Sequence, residues 1–276
     1  MNKLKYLIFG IIVSLSLTGC TVQDIKDGYN IATQIASILR EDEQTESSEE
    51  LILIETQQTV GSNNTEGEHI YASSPNLDKI EIPEWAGSPF VEINNNIPFF
   101  TFEEKKVDDA FEYYADLDEL LRCQLAYANV CLETMPEFER GSINEITPSG
   151  WDNKKYSIVD GGWIYNRCHL IGWQLTAEDD NECNLITGTR YLNIQGMLPF
   201  ENKVAKYITD NDDMDYHVLY RVTPLFNDND LVASGVLMEG YSIEDKGKGI
   251  QFCVYCYNVQ PGITIDYKTG NNWLNE

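Results

Sequence analysis

The sequence predicts an α+β fold built on an antiparallel-dominated sheet, and three features lead there. The last third holds four β-prone runs, residues 216–226, 231–238, 251–259 and 263–267, with turn residues between them. Two further β-prone runs, residues 156–159 and 163–167, flank Asp160-Gly161-Gly162, the signature of a hairpin. Helical character gathers in one long stretch, residues 189–206. Strands in series, rather than alternating with helices, favour an antiparallel sheet over a parallel one.

From the N-terminus, Lys3 and Lys5 precede an apolar run over residues 6–19. The run is too short to cross a bilayer as a helix and reads as a targeting segment. It ends Leu17-Thr18-Gly19-Cys20, which resembles the lipobox of bacterial lipoproteins. That resemblance implies removal of residues 1–19, acylation of Cys20, export, and a lipid anchor on the outward face of a bacterial cell membrane. More than one acyl chain anchors far better than a single one. The alternative is an ordinary secretory signal with an incidental cysteine.

Apolar Val22, Ile25, Tyr29, Ala32, Ile35 and Leu39 recur at helical spacing, a short amphipathic stalk. Residues 41–83 are rich in Glu, Ser, Thr and Asn and read as a flexible tether, so residues 20–84 form the anchored stalk and tether. The folded domain is expected over residues 85–276. Within it, residues 90–93 and 98–102 read as short strands around a turn at Asn94-Asn95-Asn96. Residues 107–129 read as helical in part, with Leu117, Leu120 and Leu121 clustered. Residues 176–187 look irregular. Pro199 interrupts the 189–206 stretch, which predicts a kink or two helices end to end.

The chain carries 19 basic against 45 acidic residues, a formal charge of −26. Residues 85–276 alone hold 14 Lys/Arg against 31 Asp/Glu, so the acidity is not confined to a tail. That excludes binding of nucleic acid through a broad basic surface. Any such activity must rest on a few local cations and a metal ion. Besides Cys20 there are six cysteines, at 123, 131, 168, 183, 253 and 256. An even count on an exported chain is compatible with disulfides in any of 15 pairings, and equally with free thiols. Cys253 and Cys256 lie in a strand-like run where side chains three apart face opposite ways, which argues against a zinc site.

Chemistry concentrates in Tyr165-Asn166-Arg167-Cys168-His169-Leu170, followed by Asn184, Asn193 and Glu201. A neutral imidazole at His169 can take a proton from water near neutral pH. Arg167 stands two residues away, on the same side of an extended backbone, and its fork matches phosphate oxygens. Asn193 offers a neutral amide oxygen, which leaves a hard cation such as Mg²⁺ its full charge. Glu201 is eight residues further on, roughly 80° around an ideal helix, placed to hold a metal-bound water. Asn184 could orient that water or the scissile phosphate. Each of these residues alone has a plainer reading: a structural histidine, an ion-paired arginine, a turn or cap asparagine. Together they suit metal-assisted phosphodiester hydrolysis. His69 and His217 read as incidental or structural.

Asn166-Arg167-Cys168-His169, with Asn184, Asn193 and Glu201 at these spacings, resembles the DNA/RNA non-specific endonucleases of the ββα-metal superfamily, in particular the secreted bacterial branch. The neighbouring text agrees, including Pro148-Ser149-Gly150-Trp151 and Thr187-Gly188-Thr189-Arg190-Tyr191-Leu192-Asn193, and the likeness runs from about residue 85 to 272. It implies a ββα-metal catalytic motif and cleavage of DNA, and of RNA, to 5′-phosphorylated products. It implies His169 as general base, Asn193 as direct Mg²⁺ ligand with Mn²⁺ able to substitute, Glu201 as anchor of a metal water, and Arg167 as transition-state stabiliser. Asn184 would support the site, and Arg140 and Arg190 would contact phosphate. The chain departs from the family's commonest Asp-Arg-Gly-His in carrying Asn166 and Cys168. Two rival readings are a lipid-anchored module that binds nucleic acid without cutting it and a structural or adhesive surface lipoprotein. No protein partner is indicated.

Overall fold

The structure is a computed structural model that describes residues 80–275. The targeting segment, Cys20, the stalk and nearly all of the tether lie outside the described residues. Six antiparallel strands make the main sheet: β1 (Phe90–Glu92), β2 (Phe111–Tyr114), β3 (Ala126–Val130), β6 (Val218–Leu225), β7 (Gly235–Ser242) and β8 (Gln251–Tyr257), in the order β1-β8-β7-β6-β3-β2. The longest pairing is β6 with β7, from Val218 opposite Ser242 to Leu225 opposite Gly235. A separate ribbon pairs β4 (Tyr165–His169) with β5 (Leu185–Thr189), and a second small one pairs β9 (Ile263–Ile265) with β10 (Asn272–Leu274). Helices are few: the one-turn α1 (Trp173–Thr176), a π-helical segment (Leu192–Met197) and α2 (Leu198–Asp210). The class is α+β, as expected.

Alternation along the sheet gives it two buried faces. Ala126, Ala128, Val130, Tyr220, Val222, Val236, Met238, Phe252, Val254 and Cys256 point to one side, where Cys168 of β4, the following Leu170, Ile186 of β5, Leu192 and Met197 of the π segment and Val204 of α2 join them. Leu237, Cys253, Tyr255 and Tyr257 point to the other. Cys253 and Cys256 therefore sit on opposite faces, and all six described cysteines are free thiols. On the far face Arg221 is gripped at both ends of its fork by Glu239, at 2.7 and 2.9 Å, and reaches Glu104 at 3.0 Å.

Four local expectations are corrected. Residues 107–129 are not helical; they form β2, a turn and β3. The Asp118 carboxylate accepts from the amides of Leu120 and Arg122, and Leu121 takes φ +58°, so the leucines mark the turn and not a helix face. Residues 98–102 do not form a strand, because their amides serve buried carboxylates: Phe99 N donates to Glu239 and Thr101 N to Glu104. The run 231–238 starts its strand late and extends to Ser242, since mid-strand Glu239 and Gly240 look like turn residues yet are fully paired with β6 and β8. The two runs around Asp160-Gly161-Gly162 meet only at the bridge of Lys155 with Trp163. Gly161 and Gly162 do take positive φ there, but β4 pairs with β5, which falls in the stretch expected to be irregular. The turn at Asn94-Asn95-Asn96 is present, all three asparagines standing at φ between +51° and +63°.

Pro199 neither breaks nor separates the helical stretch. It lies in the first turn of α2, where no amide is needed. The five-residue hydrogen bond from Leu198 N to Asn193 O marks the π segment just before it.

Candidate active site

Strand β4, strand β5 and the π-to-α2 helix form a ββα unit whose outer side opens into a cleft of about 1080 Å³. Arg140, Asn166, Arg167, His169, Arg190, Asn193 and Glu201 all line it, with Trp151, Trp163 and Trp173. The unit delivers Asn166, Arg167 and His169 from β4, Asn193 from the π segment and Glu201 from the first turn of α2.

His169 is buried, with both ring nitrogens engaged. Nε2 lies 2.9 Å from the Asp179 carbonyl, which can only accept. Nδ1 lies 3.1 Å from Nη2 of Arg140, which can only donate. The imidazole is therefore the Nε2–H tautomer, with Nδ1 its basic nitrogen. Burial, and secondarily the Arg140 charge against the pull of the Asp179 carbonyl, brings its pKa down to about 4, so the ring is neutral across the physiological range. The Asp179 carboxylate in turn accepts from Gly141 N at 2.6 Å and faces Arg140 Nε at 3.6 Å. One residue thus orients the imidazole through its backbone and the Arg140 loop through its side chain.

Glu201 is buried beside Gly172, where any Cβ would come within 2.7 Å of Oε2, so the glycine makes room for the carboxylate. Burial pushes its pKa up to about 7; a hydrogen bond to Gln174 and the Arg140 charge offset only part of that. A buried carboxylate short of counter-charge, in one cleft with an amide oxygen, suits a hydrated divalent cation. Among the described residues no cluster of three or more His, Cys, Asp or Glu could cage a metal, so a cation here would keep most of its water. Asn193, the uncharged ligand that the sequence singles out, lines the cleft with its Nδ2 3.5 Å from Asn166 Oδ1 and its Oδ1 3.3 Å from the Cys168 sulfur.

The arginines are tethered. Arg167 donates to the carbonyls of Asn144 and Ile146 and lies 4.6 Å from the centre of the Trp151 ring. Arg190 pairs with Asp160 at 2.9 Å and approaches Asn166 Oδ1 at 3.5 Å. Each is pre-oriented, with donors to the cleft limited by those partners.

Asn184 corrects one expectation. It is fully buried and does not line the cleft; its Oδ1 accepts from Ile171 N at 2.9 Å and its Nδ2 donates to Ile171 O at 3.0 Å. Its amide closes the chain after β4 onto the turn before β5 and is directed neither at water nor at phosphate. Asp179, Gly172 and Gln174 are not among the residues expected at the site, and Cys168 enters there only as a departure from the family's motif. Asp179 acts through a carbonyl, which every residue owns, and its Glu178-Asp179-Asp180 setting reads as a solvated acidic loop. Of these three, only the glycine carries a signal, as a small residue directly after the apolar Leu170-Ile171 pair.

Solved structures resemble this chain in overall fold. NucA from Streptococcus agalactiae with a magnesium ion bound is 25% identical, with TM-score 0.61, covering 72% of this chain and 92% of that one. The same nuclease with no metal bound is 27% identical with TM-score 0.57, covering 67% and 86%. Sda1 nuclease with bound zinc ion is 25% identical with TM-score 0.53, covering 60% and 82%. The family model described as DNA/RNA non-specific endonuclease matches residues 103–243, which contain β4, β5, the π segment and α2. With half the chain matched by that model and the ββα unit present around His169, Asn193 and Glu201, the chain belongs to the DNA/RNA non-specific endonuclease family.

Proposed function

We propose that this nuclease hydrolyses phosphodiester bonds of DNA and RNA to 5′-phosphorylated products, with His169 as general base and one divalent cation, Mg²⁺ or Mn²⁺, held at Asn193. The observation that carries the reading is the fixed tautomer of His169, whose basic Nδ1 faces the cleft that Asn193 and Glu201 share. The magnesium in NucA and the zinc in Sda1 support a divalent cation. Asn193 would bind it directly and Glu201 through its hydration. When bound there, such a cation would supply Lewis-acid charge for phosphodiester hydrolysis.

The residues of the chain do the rest. Nδ1 of His169 takes the proton of a water in line with the P–O3′ bond, and the Asp179 carbonyl stabilises the imidazolium that forms. Arg140 must leave Nδ1 for this to happen, and a phosphate oxygen entering the cleft is the partner that draws it off. Arg167 and Arg190 face the same cleft and meet the charge growing on phosphorus. None of these groups reads a base edge, in keeping with cleavage at any sequence. We further propose that the protein is exported and anchored through acyl chains on Cys20, on the strength of Leu17-Thr18-Gly19-Cys20.

Supercoiled plasmid and a long RNA incubated with protein and Mg²⁺ test the enzyme. Cutting should stop with EDTA, resume with Mg²⁺ or Mn²⁺, and fall by roughly 10²–10⁴-fold in His169→Ala. EDTA-resistant cutting, or a fully active His169→Ala, overturns the assignment. Mass spectrometry of the N-terminal peptide from cells tests the anchor: an unacylated Cys20 removes it.

A further inference from the structure

Cys168 stands where the chain departs from the commonest motif, and its surroundings give the thiol a direction. The side chain is buried, with the sulfur 3.3 Å from Asn193 Oδ1 and 3.5 Å from the Met197 sulfur. Room for it is made across the ribbon by Gly188, where a Cβ would come within 2.5 Å of Cys168 Cβ and 3.1 Å of its sulfur. The thiol is a weak S–H donor, and Asn193 Oδ1 is an acceptor within its reach. At the other end of the same amide, Asn193 Nδ2 faces Asn166 Oδ1 at 3.5 Å.

These two neighbours distinguish the ends of the amide. Turned over, Asn193 would set its oxygen against the Asn166 oxygen, a repulsive contact, and would lose the thiol donor, whose proton would turn to the Met197 sulfur instead. As it stands, one lone pair of Oδ1 meets the thiol and the second is left for another partner. We propose that Cys168 is a positioning residue for Asn193: its S–H holds the amide oxygen in the orientation that binds the divalent cation. The inference rests on Asn193 being the metal ligand, as proposed above.

The test is Mn²⁺ binding to the full chain without nucleic acid, followed by electron paramagnetic resonance, for wild type, Cys168→Ala, Cys168→Ser and Asn193→Ala. Groups that orient a metal ligand are worth 10–100-fold in affinity, and a thiol is a weak donor, so Cys168→Ala should bind about tenfold more weakly. Cys168→Ser keeps a donor and should stay within about threefold of wild type. Cys168→Ala binding like wild type overturns the proposal, as does a folded Cys168→Ser as weak as a folded Cys168→Ala. Asn193→Ala binding like wild type overturns the ligand assignment itself and the proposal with it, whereas failure of the cysteine variants alone leaves that assignment standing. Should Cys168→Ala not fold, the infrared S–H stretch of the wild type, isolated by difference against Cys168→Ser, decides. A hydrogen-bonded stretch that moves on adding Mg²⁺ is expected; a free or unmoved one overturns the role.

Discussion

Glu201→Gln should make the metal-free protein more stable while impairing its function. Burial raises the Glu201 pKa from its ordinary 4.5 to about 7, which means the folded protein holds that proton more tightly than the unfolded chain does. The sign follows. Below about pH 4.5 the carboxyl is neutral in both states and costs nothing. Between there and about pH 7 the unfolded chain ionises first, so stability drains away as pH rises. Above about pH 7 the full difference applies, roughly 3 kcal/mol at 1.36 kcal/mol per pK unit.

Glutamine has nearly the same shape and is neutral at every pH, so in EDTA at about pH 8 the variant should gain up to that amount. For a domain of this size roughly 3 kcal/mol corresponds to a rise in Tm of roughly 6–12 °C. At about pH 4 the two proteins should unfold together. Thermal or urea denaturation at both pH values, in EDTA, reads the difference. A variant no more stable than wild type at about pH 8, or one equally stabilised at about pH 4, would show that the Glu201 carboxylate is not a source of strain. Saturating Mg²⁺ should narrow the gap, because a nearby cation favours the ionised form.

Other consequences can be measured separately. Since Glu201 must lose its proton before it can assist a cation, Mn²⁺ affinity should fall by up to about tenfold per pH unit below about pH 7, and Glu201→Gln should flatten that dependence; a wild-type affinity independent of pH would contradict it. Asn184→Ala leaves both the amide and the carbonyl of Ile171 without their buried partner and should cost roughly 2–4 kcal/mol in urea denaturation; a neutral result would refute its bracing role. Arg221→Met strands two buried carboxylates, Glu104 and Glu239, and should destabilise the domain by about 3–5 kcal/mol; Glu239→Gln in the same background should recover part of that.

The residues that carry charge or a titratable proton were legible because chemistry restricts residue type. Local periodicity puts His169 and Arg167 on one side of an extended run, and the family resemblance implies that Asn193 and Glu201 join them; the fold brings all four to one cleft. Their supports were not legible, and the reasons are physical. Strand β5 is Leu-Ile-Thr-Gly-Thr, buried at all five positions, with threonines that serve the carbonyls of Ser149 and Val259; without those distant acceptors the run reads as loop. The fork of Asn184 closes on a backbone thirteen residues away, which no side-chain pattern announces. Leu120 and Leu121 cluster in a stretch that reads as partly helical, yet 70% of Leu121 is exposed, because the Asp118 turn fixes the backbone whatever the leucines prefer. Propensity failed where a few side chain–backbone hydrogen bonds, local at Asp118 and distant at Thr187 and Thr189, outweighed it.

An acidic protein that cuts a polyanion raises the question of what draws the substrate in. Three guanidiniums line the cleft, and each already has a partner: Arg140 with Asp179 and His169, Arg167 with two carbonyls, Arg190 with Asp160. Since the domain outside the cleft is acidic, phosphate contacts beyond these three would meet a repulsive field. Counterion release then sets a ceiling. With three contacts, log kcat/KM on duplex DNA should fall with log salt at a slope no steeper than about −2.7, at fixed free Mg²⁺. Arg190→Gln should make it shallower by about 0.9, equally on all sequences, because a phosphate contact carries no base information. Initial rates from low to moderate salt measure both. A wild-type slope near −6 would require phosphate contacts from cations beyond these three. A slope unchanged by Arg190→Gln would leave that guanidinium as no more than the partner of Asp160.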